Sequence, residues 1–372
     1  MQARLDLLRQ NGSMKQFRPQ DVMKRSGYID QWRGISVLMV LAHHLLIYRY
    51  QGFASTPHGW FTGKIAWAAI LWRPYSGGIG VDVFFCISGY LITTLMLREE
   101  AKTGTVSLQA FYIRRVCRIL PAMLVYVLSI VLLHTFGLVK MEPGDPAKAV
   151  LFLCNTEIAR CGYHFGHFWS LAVEEQFYVF WPLLLLLTGR YRVVVAAAAF
   201  AFALVASVIP SWRIEGWLNN GLSFACICSG VLYALSARFR AAFHLIKLPG
   251  WLLYAALIVV IPILWMSFPA LDAVIVLLLP FLIIATVIAR EGKVWEPLRW
   301  VGLISYSLYL WNGVMSWDQE RYLSGWFAYA SWLSLPIAVL SYRYVELPFM
   351  RVGHALTRHA YTARQNVTAG RN

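Results

Sequence analysis

Charged residues are scarce in this sequence. Only 14% of its 372 residues are Asp, Glu, Lys or Arg, whereas 59% are hydrophobic, and the mean hydropathy is +0.57. Soluble domains carry roughly 25% charged residues, so the composition excludes an ordinary soluble domain. Many apolar runs approach the ~20 residues that a helix needs to cross a bilayer. We therefore predict a polytopic membrane protein solvated by the lipid bilayer.

Cysteine motifs are also absent. The six cysteines form no CxxC pair and no Cys/His spacing typical of a zinc site, so the sequence indicates no metal cofactor. Cys154 and Cys161 fall in a loop that we place outside the membrane, where oxidising conditions permit a disulfide. Two free thiols fit the same spacing, and the sequence leaves both possibilities open.

A cleavable signal peptide is the third absence. Residues 1–26 are rich in Lys and Arg, and no apolar core follows Met1 directly. We expect an uncleaved first span that begins near Ile35, preceded by a basic cytoplasmic segment at 1–27. The chain has 33 Lys and Arg but only 18 Asp and Glu, a net charge of +15. A mostly apolar chain lacks the soluble basic face that nucleic acid requires, so we expect no nucleic-acid partner and assign the excess to cytoplasmic loops.

Apolar runs place about ten membrane spans along the chain. Their predicted bounds are 34–50, 78–97, 119–138, 168–188, 193–211, 219–236, 250–267, 271–289, 300–317 and 325–345. Lys and Arg concentrate in alternate loops, which indicates an even number of spans with both termini in the cytoplasm. The predicted fold class is all-α, with about ten transmembrane helices in one membrane domain at 28–350 and a polar, disordered cytoplasmic tail at 351–372.

Ionisable residues inside predicted spans mark candidate functional positions, because burying a charge in lipid is costly. In the first span, Arg33 lies at the inner boundary and His44 follows eleven residues later. At about 100° per residue both side chains lie on one helix face, with a rise of about 16 Å between them. One interpretation makes His44 a general base that burial holds neutral. The other makes it a structural histidine bonded to a neighbouring helix.

The second span carries a carboxylate and a hydroxyl, Asp82 and Ser88. Asp82 lies about one turn below the predicted outer surface. Ser88 is a candidate nucleophile, although serine in a spanning helix more often bonds its own backbone or a neighbouring helix. Gly80 and Gly89 permit close helix packing, and no Lys-Ser/Thr pair follows them to form a phosphate-binding loop.

The fourth span carries two adjacent carboxylates, Glu174 and Glu175, followed by Gln176. They lie roughly 10 Å into the predicted bilayer from its outer face. Adjacent helical side chains diverge by about 100°, so one carboxylate can face a cavity while the other faces a helix contact. A buried polar network that fixes the order of the helices is the alternative.

Three arginines open the third span at its inner end: Arg114, Arg115 and Arg118. All lie within about one helix turn, at spacings of three and four residues. Such a cluster can bind phosphate oxygens bidentately. It can equally anchor the helix to anionic lipid headgroups, and the spacing alone does not separate the two interpretations.

Taken together, these segments resemble the acyltransferase family 3 membrane proteins. The family pattern begins with a basic residue and a histidine eleven positions later, as at Arg33 and His44. Further matches are, in chain order, Gly80 to Leu91, Phe111 to Pro121, His167 to Tyr178, Ser305 to Trp311 and Glu346 to Phe349. The resemblance covers residues 28–350, and the order of its motifs makes it specific.

The resemblance implies an enzyme that moves an acyl group, most often acetyl from acetyl-CoA, to a hydroxyl of a cell-surface glycan, glycolipid or other glycosylated acceptor. It implies a multi-pass protein of the cell membrane, with acyl-CoA, the acceptor and the lipid bilayer as partners. The expected catalytic residues are His44, Glu175, Glu174 and Asp82. The expected residues for binding acyl-CoA are Arg33, Arg114, Arg115 and Arg118.

One position departs from the family pattern. Asn312 stands where the family usually has histidine, after the segment Ser305 to Trp311. Asparagine does not take up a proton in the physiological range, so a proton-handling role at this position is in doubt, whereas hydrogen bonding is not. Two other functions also fit buried charges without acyl transfer. One is a transporter or flippase for a glycolipid or small molecule, and the other is a noncatalytic sensor or assembly partner.

Overall fold

The computed structural model describes residues 19–53, 59–156, 161–209, 220–315 and 333–369. Within these ranges the chain forms helices and no strand. The α-helices are α1 (Pro19–Phe53), α2 (Gly59–Thr103), α3 (Leu108–Thr135), α4 (Asp145–Val150), α5 (Phe168–Thr188), α6 (Arg192–Val208), α7 (Gly221–Leu235), α8 (Ala237–His244), α9 (Gly250–Ala255), α10 (Ile261–Ser267), α11 (Asp272–Ile283), α12 (Glu296–Leu303), α13 (Ser305–Met315), α14 (Ser334–Ser341) and α15 (Leu347–Ala369). Shorter turns are the 3₁₀ turn Tyr163–Phe165 and the π-helical turns Ala256–Val260, Ile284–Ile288 and Tyr342–Glu346.

Among the residues that the structure describes, three helical segments are long and apolar enough to cross a bilayer: Gly77–Thr103, Leu108–Thr135 and Phe168–Val208. A fourth is added if α7 and α8, which meet at an angle of 99°, count as one span. The predicted all-α class is confirmed for the described residues. The predicted total of about ten spans and the cytoplasmic termini stay predictions. The basic segment up to residue 18 and the start of the predicted span 325–345 lie outside the described residues.

The chain reverses between α5 and α6, where the sequence predicts a short loop between spans four and five. Gly189 has a φ of +49°, a conformation that glycine adopts more readily than residues with a Cβ. Phe180 of α5 and Ala196 of α6 line the same apolar cavity, so the two helices fold back on each other. At this turn Arg192 donates two hydrogen bonds to Glu100 of α2, at 2.6 and 2.8 Å. This bidentate ion pair ties the hairpin to α2.

Glycines bring α2 into backbone contact with its neighbours. A Cβ added to Gly89 would lie 2.1 Å from the carbonyl oxygen of Ile227, and one added to Gly230 would lie 2.1 Å from that of Cys86. A Cβ added to Gly80 would likewise lie 2.7 Å from the carbonyl oxygen of Ser36 on α1. Small residues at such contacts are how membrane helices approach closely, so any larger residue here would push α2 away from α7 or α1.

The C-terminal segment is helical where the sequence predicts a disordered tail from residue 351. α15 continues to Ala369. Its first half packs on α3, since a Cβ on Gly353 would lie 2.9 Å from Cβ of Cys117, and Thr357 is only 3% exposed. Gly353 and Thr357 let this polar segment pack against a membrane helix, and disorder of the tail stays a prediction.

Candidate active site

Five helices, α1, α2, α3, α5 and α13, surround a cavity with about 850 Å³ of empty space, part of it open to the exterior. Its polar lining consists of Arg33, Ser88, Arg115, Arg118, Ser170, Glu174, Tyr178, Ser305, Tyr306 and Tyr309, and α2 contributes most of the apolar wall. Four residues that the sequence predicts as site residues meet here. We call them the cavity layer: Arg33, Arg115, Arg118 and Glu174.

Arg33 is held in the cavity wall by two neighbours. Its guanidinium donates to the hydroxyl of Ser305 at 3.0 Å and forms an ion pair with Asp30 at 3.6 Å. Its side chain is only 16% exposed. A guanidinium has five N–H donors, so these contacts leave donors available for an anion in the cavity. Ser305 is the first residue of one family-like segment and Arg33 the first residue of another. Their hydrogen bond therefore orients the guanidinium of Arg33.

The three arginines of α3 divide between two environments. Arg115 and Arg118 line the cavity, and the guanidinium of Arg115 lies 4.5 Å from the ring centroid of Tyr178. Arg114 does not line the cavity and forms an ion pair with Glu99 at 3.7 Å. Adjacent residues on a helix diverge by about 100°, which explains why Arg114 and Arg115 face different neighbours.

The two carboxylates of α5 also diverge, as the sequence predicts for adjacent residues. Glu174 faces the cavity, and its Oε1 accepts hydrogen bonds from the hydroxyls of Ser88 and Tyr178. The Tyr178 hydroxyl also lies 3.2 Å from that of Ser88. Glu175 does not line the cavity, and its buried Oε1 has no hydrogen-bond partner among the described residues. Glu174 is therefore the carboxylate that a ligand in the cavity meets.

Asp82 lies elsewhere in the bundle. It is 5% exposed, and the hydroxyl of Ser223 on α7 approaches its Oδ1 at 3.5 Å. It is not part of the cavity lining. Asp82 thus sits in the contact between α2 and α7, together with the neighbouring pair of Cys86 and Ser229, whose side chains are 3.4 Å apart.

His44 contacts the residue that departs from the family pattern. The Nδ2 of Asn312 on α13 donates to Nδ1 of His44 at 2.6 Å, and Asn312 is fully buried. None of the three predicted carboxylates is hydrogen-bonded to His44 in the described part of the chain. The ring of the adjacent His43 packs against Gly77, since a Cβ on Gly77 would lie 2.7 Å from it, and its centroid is 5.3 Å from that of His44.

A second buried histidine, His167, lies beside this pair. A Cβ added to Gly313, the residue after Asn312, would lie 2.4 Å from its ring. Tyr309 donates to its carbonyl oxygen at 3.0 Å. The sequence places His167 at the start of a family-like segment but indicates no role for it. Its position directly before the first residue of a predicted span is the signal that marks it. We call His44, Asn312 and His167 the histidine layer.

The wall of the cavity reaches to within one helix turn of the histidine layer, through Tyr309 and Ser170. On α13 Tyr309 lines the cavity and Asn312 follows three residues later, and on α5 Ser170 lines the cavity and His167 precedes it by three. Three residues of α-helix rise about 4.5 Å. Between the layers the hydroxyls of Ser170 and Tyr309 are hydrogen-bonded to each other. His44 is therefore near the cavity but does not line it.

The loop before α5 forms the rim of the histidine layer. It carries a disulfide between Cys154 and Cys161, which answers the question that their spacing left open. The Tyr126 hydroxyl of α3 donates to the carbonyl oxygen of His164 at 2.6 Å. His164 is 1% exposed, and burial lowers the pKa of its imidazole to about 4. The disulfide constrains the loop, and the hydrogen bond from Tyr126 holds His164 next to the histidine layer.

Apolar helices that enclose arginines, a carboxylate and histidines define an integral membrane protein with a buried polar site. A family model described as an acyltransferase domain, that of acyltransferase family 3, matches residues 26–343. The chain belongs to this family, which confirms the resemblance that the motifs carry.

Named relatives match most of the chain. A Staphylococcus aureus (strain COL) protein provisionally named as an O-acetyltransferase is 30% identical over 87% of this chain and 57% of its own length. The peptidoglycan O-acetyltransferase OatA of Listeria monocytogenes is 26% identical over 87% of this chain and 56% of its own length. The chain thus spans little more than half the length of these curated relatives. No solved structure matches it.

Proposed function

We propose that this protein is a multi-pass membrane O-acetyltransferase. It takes the acetyl group of acetyl-CoA from the cytoplasmic side and transfers it to a hydroxyl of a glycan on the far side of the cell membrane. The observation that carries the proposal is a cavity lined by three arginines whose wall, at Tyr309 and Ser170, comes within one helix turn of His44's partner Asn312 and of His167. The names of the relatives support a peptidoglycan-type glycan as the acceptor.

Arg33, Arg115 and Arg118 form the donor site of this proposal. CoA carries phosphates, and arginines with free N–H donors in a partly enclosed cavity bind phosphate oxygens strongly. Arg114 is paired with Glu99 and does not reach the cavity, so the proposal assigns it no contact with the donor. Anchoring to lipid headgroups explains Arg114 better than it explains Arg115 and Arg118.

His44 is the proposed base. It takes the proton of the acceptor hydroxyl while the oxygen forms a bond to the acetyl carbonyl carbon. The C–S bond of the thioester then breaks, and CoA leaves as a thiolate that takes up a proton. The hydroxyls of Tyr309 and Ser170 lie between the layers, where they are hydrogen-bonded to each other and to the carbonyl oxygen of His167. In the proposal, either hydroxyl donates to the thioester carbonyl oxygen after it leaves its present partner.

The carboxylates have separate proposed roles. Glu174, held by Ser88 and Tyr178, shapes the cavity for the donor. Glu175 lies behind it and Asp82 lies in the contact between α2 and α7, so neither is placed to orient His44. The hydrogen bond that orients His44 comes from Asn312 instead.

The disulfide supports the proposed orientation. Disulfides persist on the oxidising side of a membrane, so the bond between Cys154 and Cys161 supports an external position for the loop before α5. Since His167 directly precedes α5, the histidine layer then lies toward the outside and Arg33 toward the cytoplasm. This arrangement lets a cytoplasmic donor and an external acceptor approach from opposite sides.

Transfer of label from acetyl-CoA tests the proposal. Membranes from cells that express the protein are incubated with [¹⁴C]acetyl-CoA, and label is counted in the envelope glycan fraction. We expect His44→Ala to reduce incorporation by about 10²–10⁴-fold, the usual contribution of a general base. The matched control is His43→Ala, because His43 is the adjacent histidine of α1 and its ring packs against Gly77.

Two results would contradict the proposal in different ways. Full incorporation by a folded His44→Ala protein would remove His44 as the base. No label above that of membranes without the protein, together with movement of a glycolipid across vesicles, would instead identify a transporter or flippase.

A further inference from the structure

The contact between His44 and Asn312 joins residues that are 268 positions apart in the chain. Asn312 is fully buried, and its amide nitrogen lies 2.6 Å from Nδ1 of the imidazole. Other groups that face His44 in the described part of the chain are His43 from α1, whose ring centroid is 5.3 Å away, and His167, which directly precedes α5. The hydrogen bond to this imidazole comes from the neutral amide of Asn312.

The direction of that hydrogen bond determines which nitrogen can act as a base. A neutral imidazole carries a proton on one nitrogen and a lone pair on the other. When the Asn312 amide donates to Nδ1, the lone pair is engaged and Nε2 carries the proton, so no nitrogen is free to accept another. A half-turn of the amide brings its oxygen to the same position. The oxygen then accepts from Nδ1–H, and the lone pair on Nε2 is free.

We propose that Asn312 is a positioning residue that sets the tautomer of His44, with the amide oxygen accepting from Nδ1–H so that Nε2 takes the proton of the acceptor hydroxyl. The inference rests on the proposed function, in which His44 is the base. In this state the amide also stabilises the imidazolium that forms, because Nδ1–H is present both before and after Nε2 gains its proton. The opposite amide orientation is the resting state.

Substitutions at residue 312 separate this role from simple packing. In Asn312→Asp the carboxylate can only accept from Nδ1–H, so transfer is retained. A negative charge beside the imidazole favours its protonated form, so the acid limb of kcat/KM against pH moves upward by about one unit. In Asn312→Leu the tautomer is not fixed, and kcat falls about tenfold to a hundredfold while KM for acetyl-CoA stays within about twofold.

The assay uses membranes with the full chain, [¹⁴C]acetyl-CoA as the probe, and label in the envelope glycan fraction from pH 5 to pH 9. Each substitution is also placed in a His44→Ala background, where neither should change the residual rate. An unshifted acid limb in Asn312→Asp, or a wild-type kcat in Asn312→Leu, overturns the inference. If Asn312→Leu is lost from the membrane, the pH profile of Asn312→Asp decides alone.

The activity of His44→Ala distinguishes a failure of the tautomer inference from a failure of the proposed function. If His44→Ala abolishes transfer but both variants at 312 behave as wild type, the tautomer inference fails and the proposed function stands. If His44→Ala retains full transfer, the assignment of the base fails, and the role of Asn312 fails with it.

Discussion

The cavity layer and the histidine layer lie in the same helix bundle, yet they are built from different chemistry. The cavity layer holds formal charges, with three arginines facing the space that Glu174 also lines. The histidine layer is held by a neutral amide and backbone carbonyl contacts. Charged groups in a cavity bind a charged donor, whereas a base must stay unprotonated until it reacts. The difference indicates that donor binding and proton transfer are separated along the helices.

Removing an arginine from the cavity layer should give the largest effect on donor binding. We expect Arg115→Gln or Arg118→Gln to raise KM for acetyl-CoA about 10–100-fold, because each removes charge-assisted bonds to phosphate. Their kcat should change much less, since the histidine layer is untouched. Initial rates against acetyl-CoA concentration provide the measurement.

Arg238→Gln is the matched control, because Arg238 is exposed on α8 and remote from the cavity lining. If Arg115→Gln, Arg118→Gln and Arg238→Gln have the same KM for acetyl-CoA, the cavity layer does not bind the donor. A loss confined to kcat in Arg115→Gln would place Arg115 with the chemistry and not with the donor.

A smaller effect is expected for the carboxylate of the cavity layer. Glu174→Gln keeps the shape of the side chain but weakens the hydrogen bonds that Ser88 and Tyr178 donate, so KM for acetyl-CoA should rise by about tenfold. The same rate measurements apply. Glu296→Gln, which alters an exposed i,i+3 pair with Arg299, is the matched control. A shifted pH profile in Glu174→Gln would instead link Glu174 to proton transfer.

The smallest effect concerns the rim of the histidine layer. Burial lowers the pKa of His164 to about 4, below its ordinary value of 6.5, so the folded state binds fewer protons than the unfolded state. Stability from this group is present above pH 6.5 and is lost as the pH falls toward 4. We expect a loss of about 1 kcal/mol between pH 7 and pH 5.5.

Thermal unfolding in detergent at both pH values measures this loss. His164→Phe, which fills the same space without titrating, should lose less stability over that interval than the parent protein. An identical pH dependence in both would show that burial of His164 does not contribute.

The sequence predicted which residues belong to the site better than it predicted which residues they contact. Arg33 and His44 share a helix as their spacing requires, but Arg33 faces the cavity and His44 lies beyond it. The sequence predicted the cluster on α3, and helix geometry implies that Arg114 and Arg115 diverge, but packing of the helices shows which of the two lines the cavity. Glu174 and Glu175 diverge as adjacent residues must.

Contacts between distant helices account for what the sequence did not predict. Asn312 was noticed as a departure from the family, but nothing local shows that it contacts His44. The sequence predicts Asp82 as a catalytic carboxylate. In the structure, Gly89 and Gly230 let α7 pack closely on α2, and Asp82 lies in that contact. Polar composition does not predict that Gly353 lets α15 pack on α3.

The position of bound acetyl-CoA tests the division between the layers most directly. Cryo-electron microscopy of the His44→Ala protein in lipid nanodiscs, with acetyl-CoA added, would trap the donor before transfer. Our account predicts CoA phosphate oxygens at Arg115 and Arg118 and the acetyl group beside Tyr309, directed toward residue 44. Acetyl-CoA bound outside this cavity, or an acetyl group directed away from the histidine layer, would contradict it.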